Sequence, residues 1–271
     1  MMLLMGHPAD DRCHVYDGRP AQERLMMRLL AAVRMEWTKL RTVRATGWTL
    51  LALFVSTIAL SALAAAQTGP ADCAPRPCTL DTTEIALAGV YIGQIAVVAF
   101  AVLAVTSEFD TMNIRTTLAA VPRRLLVLAA KAVVVTTTVL VAAASTILGC
   151  LVLTRIILVR NGFHELNGYK RMLMISDGQT SRAFLGAVFY LCAVGVLSLG
   201  MAVIIRHTAA ALTTMLALLY VPVLVVRFVT DPDWQHRIVA YSPMTAGRAT
   251  LAAYAAFVLL VGAAVFERRD A

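Results

Sequence analysis

Long apolar stretches alternate with short polar segments along this 271-residue chain. Each stretch reaches bilayer length, because a membrane-spanning helix needs roughly 17–25 mostly apolar residues. No Asp or Glu falls inside any stretch, as expected when a carboxylate in lipid is strongly disfavoured. The stretches also lack the alternation that is typical of a membrane β-strand. The pattern predicts an all-α membrane protein with six spans, at about 48–66, 85–106, 132–153, 184–205, 208–229 and 249–266.

The segments before the first span predict two different elements. Residues 1–22 have little periodicity and read as a flexible tail, whereas residues 23–271 form one six-span domain. Within 23–44, apolar residues recur every three or four positions between Arg and Lys residues. This spacing predicts an amphipathic helix in the membrane interface, and a simple basic flank of the first span is the alternative. The apolar positions are Leu25, Leu29, Val33, Trp37 and Leu40.

Charge sets the expected orientation. The chain is 59% hydrophobic and 15% charged, with mean hydropathy +0.75, against about 25% charged residues in soluble domains. If the N-terminus is cytoplasmic, fifteen Lys and Arg lie inside and eight outside, and Arg227 lies near the outer end of the fifth span. The positive-inside rule then places both termini in the cytoplasm. Anionic inner-leaflet lipids account for the net charge of +8, so no nucleic-acid partner is expected.

Three features inside the predicted spans are suited to helix packing or to a transport pathway. Gly89 and Gly93 form a G-x-x-x-G pair, which lets another helix approach closely. The next residue, Gln94, is the one amide deep within a predicted span. Two roles are open for its side chain: a hydrogen bond to another helix, or a contact with the substrate. Pro222 should kink the fifth span.

Two outside loops leave alternatives open. Cys73 and Cys78 share the first outside loop, where a disulfide or two free thiols are both compatible with the sequence. Neither a second Cys pair nor a His lies nearby, so no metal site is predicted. The loop at 230–247 contains Trp234 and Tyr241 between prolines. It predicts either a short re-entrant segment or a plain tether.

Catalytic and nucleotide-binding motifs are missing. The sequence contains no G-x-x-x-x-G-K-[ST] loop and no G-x-S-x-G elbow, which argues against an enzyme. An ion-coupled carrier is an alternative, although no carboxylate lies within a span to carry a proton. A sensor or scaffold without transport is another. The pattern favours a transport protein that takes its energy from a separate polypeptide.

One inside segment is suited to receive that energy. In "SEFDTMNIRTTLAAVPRR" (107–124), Ser107 and Asp110 fit the S-x-x-D pattern that begins a helix. An apolar stripe follows, and Pro122 should end the helix. A short helix on the cytoplasmic side is therefore predicted. It would expose Glu108, Arg115, Arg123 and Arg124.

These segments resemble a known family. "EWTKLRTVR" before the first span, "SEFDTMNIRTTLAAVPRR" after the second and "AAK" entering the third are similar to bacterial type-2 ABC transporter permeases. The resemblance, over roughly 27–271, implies an interface helix, six spans, a coupling helix and a re-entrant segment before the last span. It assigns ATPase contact to Glu108, Ile114, Arg115, Leu118, Arg123 and Arg124.

The resemblance also implies the partners. A separate ABC ATPase subunit would bind ATP and Mg, with no cofactor in this chain. A second permease copy or a paralogue would complete the pathway in the lipid bilayer of the bacterial plasma membrane. Alternating access would then export a substrate. The family's substrates include drugs, peptides, lipids and polysaccharides.

Overall fold

Every regular secondary-structure element in the described part of the chain is a helix. A computed structural model describes residues 21–69, 81–110, 124–163, 178–229, 231, 233–235, 237 and 248–269. No strand occurs in these ranges, so the predicted all-α class is confirmed. The helices with defined bounds are α1 (Ala21–Thr42), α2 (Arg44–Gln67), α3 (Thr82–Leu87), α4 (Val90–Asp110), α5 (Arg124–Arg160), α6 (Gly178–Ile205), α7 (Thr208–Val226) and α8 (Arg248–Arg269).

Five helical segments are long and apolar enough to cross a membrane. The second of them joins α3 and α4 across a turn at Ala88 and Gly89. The predicted sixth span lies in α8, whose described apolar part, Leu251–Val265, is shorter. A sixth span therefore stays a prediction. The five segments are Arg44–Gln67, Thr82–Ser107, Leu126–Arg160, Gly178–Ile205 and Thr208–Val226.

Helix α5 is much longer than the span predicted within it. Its 37 residues extend about 55 Å at a rise of about 1.5 Å per residue, whereas the hydrocarbon core is about 30 Å thick. The additional turns at its beginning pack against α1, where Leu126 and Ala130 contact Ala32 in a small apolar cluster. The start of α5 thereby fixes α1 to the bundle.

Helix α6 is the centre of the bundle. It packs against α4, α5, α7 and α8, while α2 packs against α4 and α5. Leu191, Val194 and Leu197 of α6 are almost completely buried and belong to the main apolar core. By contrast, Leu51, Phe54 and other apolar side chains of α2 are exposed. An outer helix surrounded by lipid needs no further cover for such side chains.

Close backbone approach brings α2 against the α3–α4 turn. A Cβ at Gly89 would lie 1.9 Å from the Thr57 carbonyl oxygen, and one at Gly93 would lie 2.1 Å from Thr57 Oγ1. A real Cβ atom could occupy neither position. At Gly89 the obstacle is the backbone of α2, so the helices would have to separate, whereas at Gly93 the Thr57 side chain would have to move. Gly200 of α6 and Gly262 of α8 make a second close approach, where a Cβ at Gly262 would lie 3.1 Å from the Gly200 carbonyl oxygen.

The turn between α3 and α4 interrupts the second predicted span. Asp81 begins α3 by accepting hydrogen bonds from the backbone N–H groups of Thr83 (2.9 Å) and Glu84 (3.4 Å). At the turn, the Gly89 N–H donates to Ser61 Oγ of α2 at 3.1 Å. A hydroxyl on a neighbouring helix thus satisfies a backbone donor that the turn leaves unpaired.

Candidate functional site

The predicted coupling segment falls mainly on undescribed residues. Ile114, Arg115, Leu118 and Arg123 lie outside the described ranges, as do Cys73, Cys78 and most of the 230–247 loop. Glu108 is in the last turn of α4, and Arg124 is the first residue of α5, but their side chains are not described. The predicted roles of these residues therefore stay predictions.

One local prediction in this segment is wrong. Ser107 does not begin a new helix, because α4 continues without a break from Val90 to Asp110. Ser107 and Asp110 are separated by one helical turn within α4, so the S-x-x-D spacing arises inside a helix here. The apolar residues before Ser107 continue the helix of the second span beyond the S-x-x-D pattern. Glu108 therefore lies near the end of α4 rather than at the start of a helix.

A buried ion pair joins three helices at the end of the bundle from which the 111–123 segment leaves. Lys131 Nζ of α5 lies 2.8 Å from Glu36 Oε2 of α1. It also donates to the Ala104 carbonyl oxygen of α4 at 2.9 Å. Both charged side chains are less than a tenth exposed. Three helices are thereby tied together by one ammonium group.

Local packing explains why this pair can be buried. Ala32 and Glu36 are one turn apart on α1, and both face the first turns of α5. The small Ala32 and Ala130 side chains let the two helices approach. Lys39 Nζ also lies 3.4 Å from Glu36 Oε1, so both carboxylate oxygens have a cationic neighbour. Such additional contacts are needed to offset the cost of removing two charges from water.

A cleft of about 300 Å³ lies between the α3–α4 segment and α6, toward the opposite ends of these helices. Leu87, Val90 and other residues of α3 and α4 form one wall. The other wall is formed by one face of α6, whose residues follow helical spacing and are mostly small. The lining residues are Glu84, Leu87, Val90, Tyr91 and Gln94 on one side and Ala183, Gly186, Ala187 and Tyr190 on the other.

A hydrogen-bonded group of three side chains lies at the inner end of the cleft, and two of them, Gln94 and Tyr190, line it. The Tyr190 hydroxyl of α6 donates to Gln94 Oε1 of α4, and the Gln94 side chain is completely buried. Tyr220 of α7 donates its hydroxyl to the Tyr91 carbonyl oxygen and also contacts the Gln94 side chain. We call Gln94, Tyr190 and Tyr220 the polar floor. It connects α4, α6 and α7 near the middle of the apolar bundle.

The outer end of the cleft carries a carboxylate. Glu84 is exposed and lies in the first turn of α3, ten residues before Gln94. Among the lining residues that the structure describes, Glu84 alone is charged. An acidic group thus marks the opening of a mostly apolar cleft that ends on neutral hydrogen-bonding groups.

The remaining predicted residues in the spans do not line this cleft. Gly89 and Gly93 lie on the α2 side of α4, so they position α4 rather than line the cleft. Pro222 is within α7, two residues after Tyr220. No described group of three His, Cys, Asp or Glu side chains has the geometry to hold a metal ion.

Sequence reasoning missed several residues of these sites. Glu36 and Lys131 belong to two of the motifs on which the family resemblance rests, but no pattern among neighbouring residues indicated that their side chains meet. Tyr190 and Tyr220 were missed because single tyrosines in apolar runs resemble ordinary core residues. The sequence feature that could have identified these two tyrosines is their position within spans that contain few other hydrogen-bonding side chains. No model of a known protein family matches the chain, and no curated protein matches its sequence.

Proposed function

We propose that this chain is the membrane-spanning permease subunit of an ATP-driven ABC transporter of the type-2 class. It works as an exporter in the bacterial plasma membrane, with both termini in the cytoplasm. A separate ATPase subunit binds ATP and Mg and supplies the energy. A second copy of this chain, or a paralogue, completes the pathway, and α8 provides the sixth span.

The observation that carries the proposal is the ion pair between Glu36 and Lys131. Glu36 belongs to "EWTKLRTVR" and Lys131 to "AAK", two of the three segments on which the family resemblance rests. These segments are far apart in sequence, yet the two charges lie 2.8 Å apart. The third segment, 107–124, joins α4 to α5, and Ala104 of α4 accepts a hydrogen bond from Lys131 of α5. Two of the three motifs are therefore neighbours in the folded chain, and the third connects two of the helices that Lys131 links.

The N-terminal helix supports the membrane assignment. Met26, Leu30 and Trp37 of α1 are exposed, and the Arg41 guanidinium lies 5.1 Å from the centre of the Trp37 ring. An aromatic ring beside a cation is suited to the level of the lipid headgroups. Helix α1 then lies along the inner membrane surface, with its Ala32 and Glu36 side against α5.

Force from the ATPase reaches the cleft through α4. Movement of the 107–124 segment acts on the adjoining ends of α4 and α5, which Lys131 links to each other and to α1. Ala104 and Gln94 are ten residues apart on α4, about 15 Å at a rise of about 1.5 Å per residue. A rigid shift of α4 therefore changes its fit against α6 at the polar floor, as alternating access requires.

Affinity purification from native membranes tests this proposal. The tagged chain should recover a second subunit with a G-x-x-x-x-G-K-[ST] phosphate loop, identified by mass spectrometry. That complex should hydrolyse ATP, whereas the isolated chain should not. Hydrolysis by the isolated chain, or transport that requires an ion gradient and no ATP, would refute the model.

Cysteine labelling tests the orientation independently. Single cysteines at Asp177 and Trp234 should react with a membrane-impermeant maleimide added to intact cells. A cysteine at Arg123 should react only after the membrane is opened. External labelling at position 123 would contradict the orientation and, with it, contact between the 107–124 segment and a cytoplasmic ATPase.

A further inference from the structure

We infer that the cleft between α3–α4 and α6 is a binding site for an amphipathic organic cation, with its ammonium group at Glu84 and its apolar body directed toward the polar floor. This inference deepens the proposed function, because it names the substrate class that the permease would carry. It rests on the shape, charge and hydrogen-bonding groups of the cleft.

The shape of the cleft suits an elongated apolar body. Ala183, Gly186 and Ala187 recur on one face of α6, and their small size leaves space opposite Leu87 and Val90. The volume of about 300 Å³ is at the lower end of ligand cavities, which run from roughly 300 to 1,000 Å³. Glu84 in the first turn of α3 and Gln94 in α4 both line the cleft, one on each side of the turn at Ala88 and Gly89. The cleft thus extends from α3 across this turn into α4.

The charge at the opening selects for a cation. Glu84 is the one charged side chain among the described lining residues, and no described Lys or Arg forms an ion pair with it. Arg182 precedes the lining residue Ala183 in sequence, but it is exposed and does not line the cleft. Tyr91 and Tyr190 add aromatic rings to the walls, and aromatic faces attract ammonium groups.

The polar floor limits how far an apolar body can enter. Gln94 and Tyr190 hydrogen-bond to each other, so neither presents an unsatisfied polar atom to a hydrocarbon chain. The Tyr190 oxygen retains the capacity to accept a hydrogen bond. A terminal hydroxyl or amide on the cation can donate a hydrogen bond to this oxygen. A longer alkyl chain would have to disrupt the hydrogen bonds of the polar floor.

Binding to the full chain in lipid nanodiscs tests this inference. The probe is 4-phenylbutyltrimethylammonium, and the comparison compound is 5,5-dimethylhexylbenzene, in which a carbon atom replaces the nitrogen. Equilibrium dialysis with radiolabelled probe, corrected with empty nanodiscs, should show saturable binding. Excess unlabelled probe should displace the label much better than the uncharged compound does.

Three variants give the test its specificity. Glu84→Gln should weaken probe binding by about twofold to fivefold, as the loss of a solvent-exposed charge contact predicts. Asp233→Asn is the matched control, since Asp233 is exposed and lies outside the cleft, and it should bind like the unmodified chain. Ala187→Leu fills the cleft and should abolish saturable binding, with folding checked by size-exclusion chromatography.

The outcomes separate this inference from the proposed function. Equal binding to Glu84→Gln and to the unmodified chain would refute cation recognition at this site. Equal displacement by the uncharged compound would instead show an apolar cleft open to any hydrocarbon, including lipid chains. Because the assay contains no ATPase subunit, binding can be positive when no ATPase copurifies. Conversely, an ATPase complex whose permease binds no probe would retain the proposed function and refute the inference.

Discussion

Lys131 on α5 and Glu36 on α1 form a buried ion pair, with 2.8 Å between Nζ and Oε2. The same ammonium group donates to the Ala104 carbonyl oxygen on α4. Buried ion pairs often contribute little net stability, but the loss of one partner leaves a charge without compensation. We therefore expect the pair to specify where α1 sits on the bundle more than it stabilises the fold as a whole.

Removal of Lys131 should destabilise the protein more than removal of the whole pair. Lys131→Met leaves Glu36 with only the more distant Lys39, and we expect a loss of about 3 kcal/mol in the free energy of unfolding. The double variant Glu36→Gln with Lys131→Met should lose less. Denaturant unfolding in micelles measures both. Glu23→Gln, at an exposed site on α1, should be neutral, and a larger loss in the double variant would refute this account.

Helix contact at Gly89 should be sensitive to a single methyl group. Gly89→Ala would place a Cβ 1.9 Å from the Thr57 carbonyl oxygen, so α2 and α4 must separate. We expect a destabilisation of about 1–3 kcal/mol, measured by thermal unfolding. Gly47→Ala is the control, because no atom lies within 4 Å of that Cβ. Its better helix propensity should stabilise α2 by up to about 1 kcal/mol, so similar losses in both variants would contradict the prediction.

Tyr190 should contribute through its hydroxyl as well as through its ring. Tyr190→Phe removes the hydrogen bond to Gln94 Oε1, and hydrogen bonds between membrane helices are worth about 0.6–1.7 kcal/mol. Tyr91→Phe should have little effect, because Tyr91 contacts Tyr220 through its main-chain carbonyl oxygen. Denaturant unfolding compares the two variants. If they lose equal stability, the polar floor does not contribute to helix association.

The 107–124 segment should affect energy coupling rather than folding. Under the proposed function, Glu108→Ala or Arg115→Ala leaves expression and membrane insertion intact. Transport and substrate-stimulated ATP hydrolysis by the complex should fall, because truncation of one partner in a desolvated interface contact costs about 2 kcal/mol or more. Arg123→Ala and Arg124→Ala should have smaller effects. Normal transport by both of the first variants would make this segment a plain connector.

Sequence reasoning was reliable where a structural rule is local. A lipid-facing backbone must satisfy its own hydrogen bonds, so long apolar runs without acidic residues form helices. The boundary between α6 and α7 lies at the predicted residues. There, Arg206 adopts a left-handed conformation (φ 58°), and the His207 side chain accepts a hydrogen bond from the Ala210 N–H at 3.5 Å. The Ser107 prediction failed because a capping pattern is weaker than continuation of an established helix.

The sequence alone determined the all-helical class and the approximate limits of the apolar helices, because periodicity and apolar length act over neighbouring residues. Only the tertiary structure decided that the second span breaks at Ala88 and Gly89, that Glu36 meets Lys131, and that Tyr190 and Tyr220 converge on Gln94. Each of these features depends on atoms supplied by another helix. Ser61 receives the freed Gly89 N–H, and Thr57 defines the space that only glycine fits. Such partners have no fixed sequence separation, so they arise from helix packing.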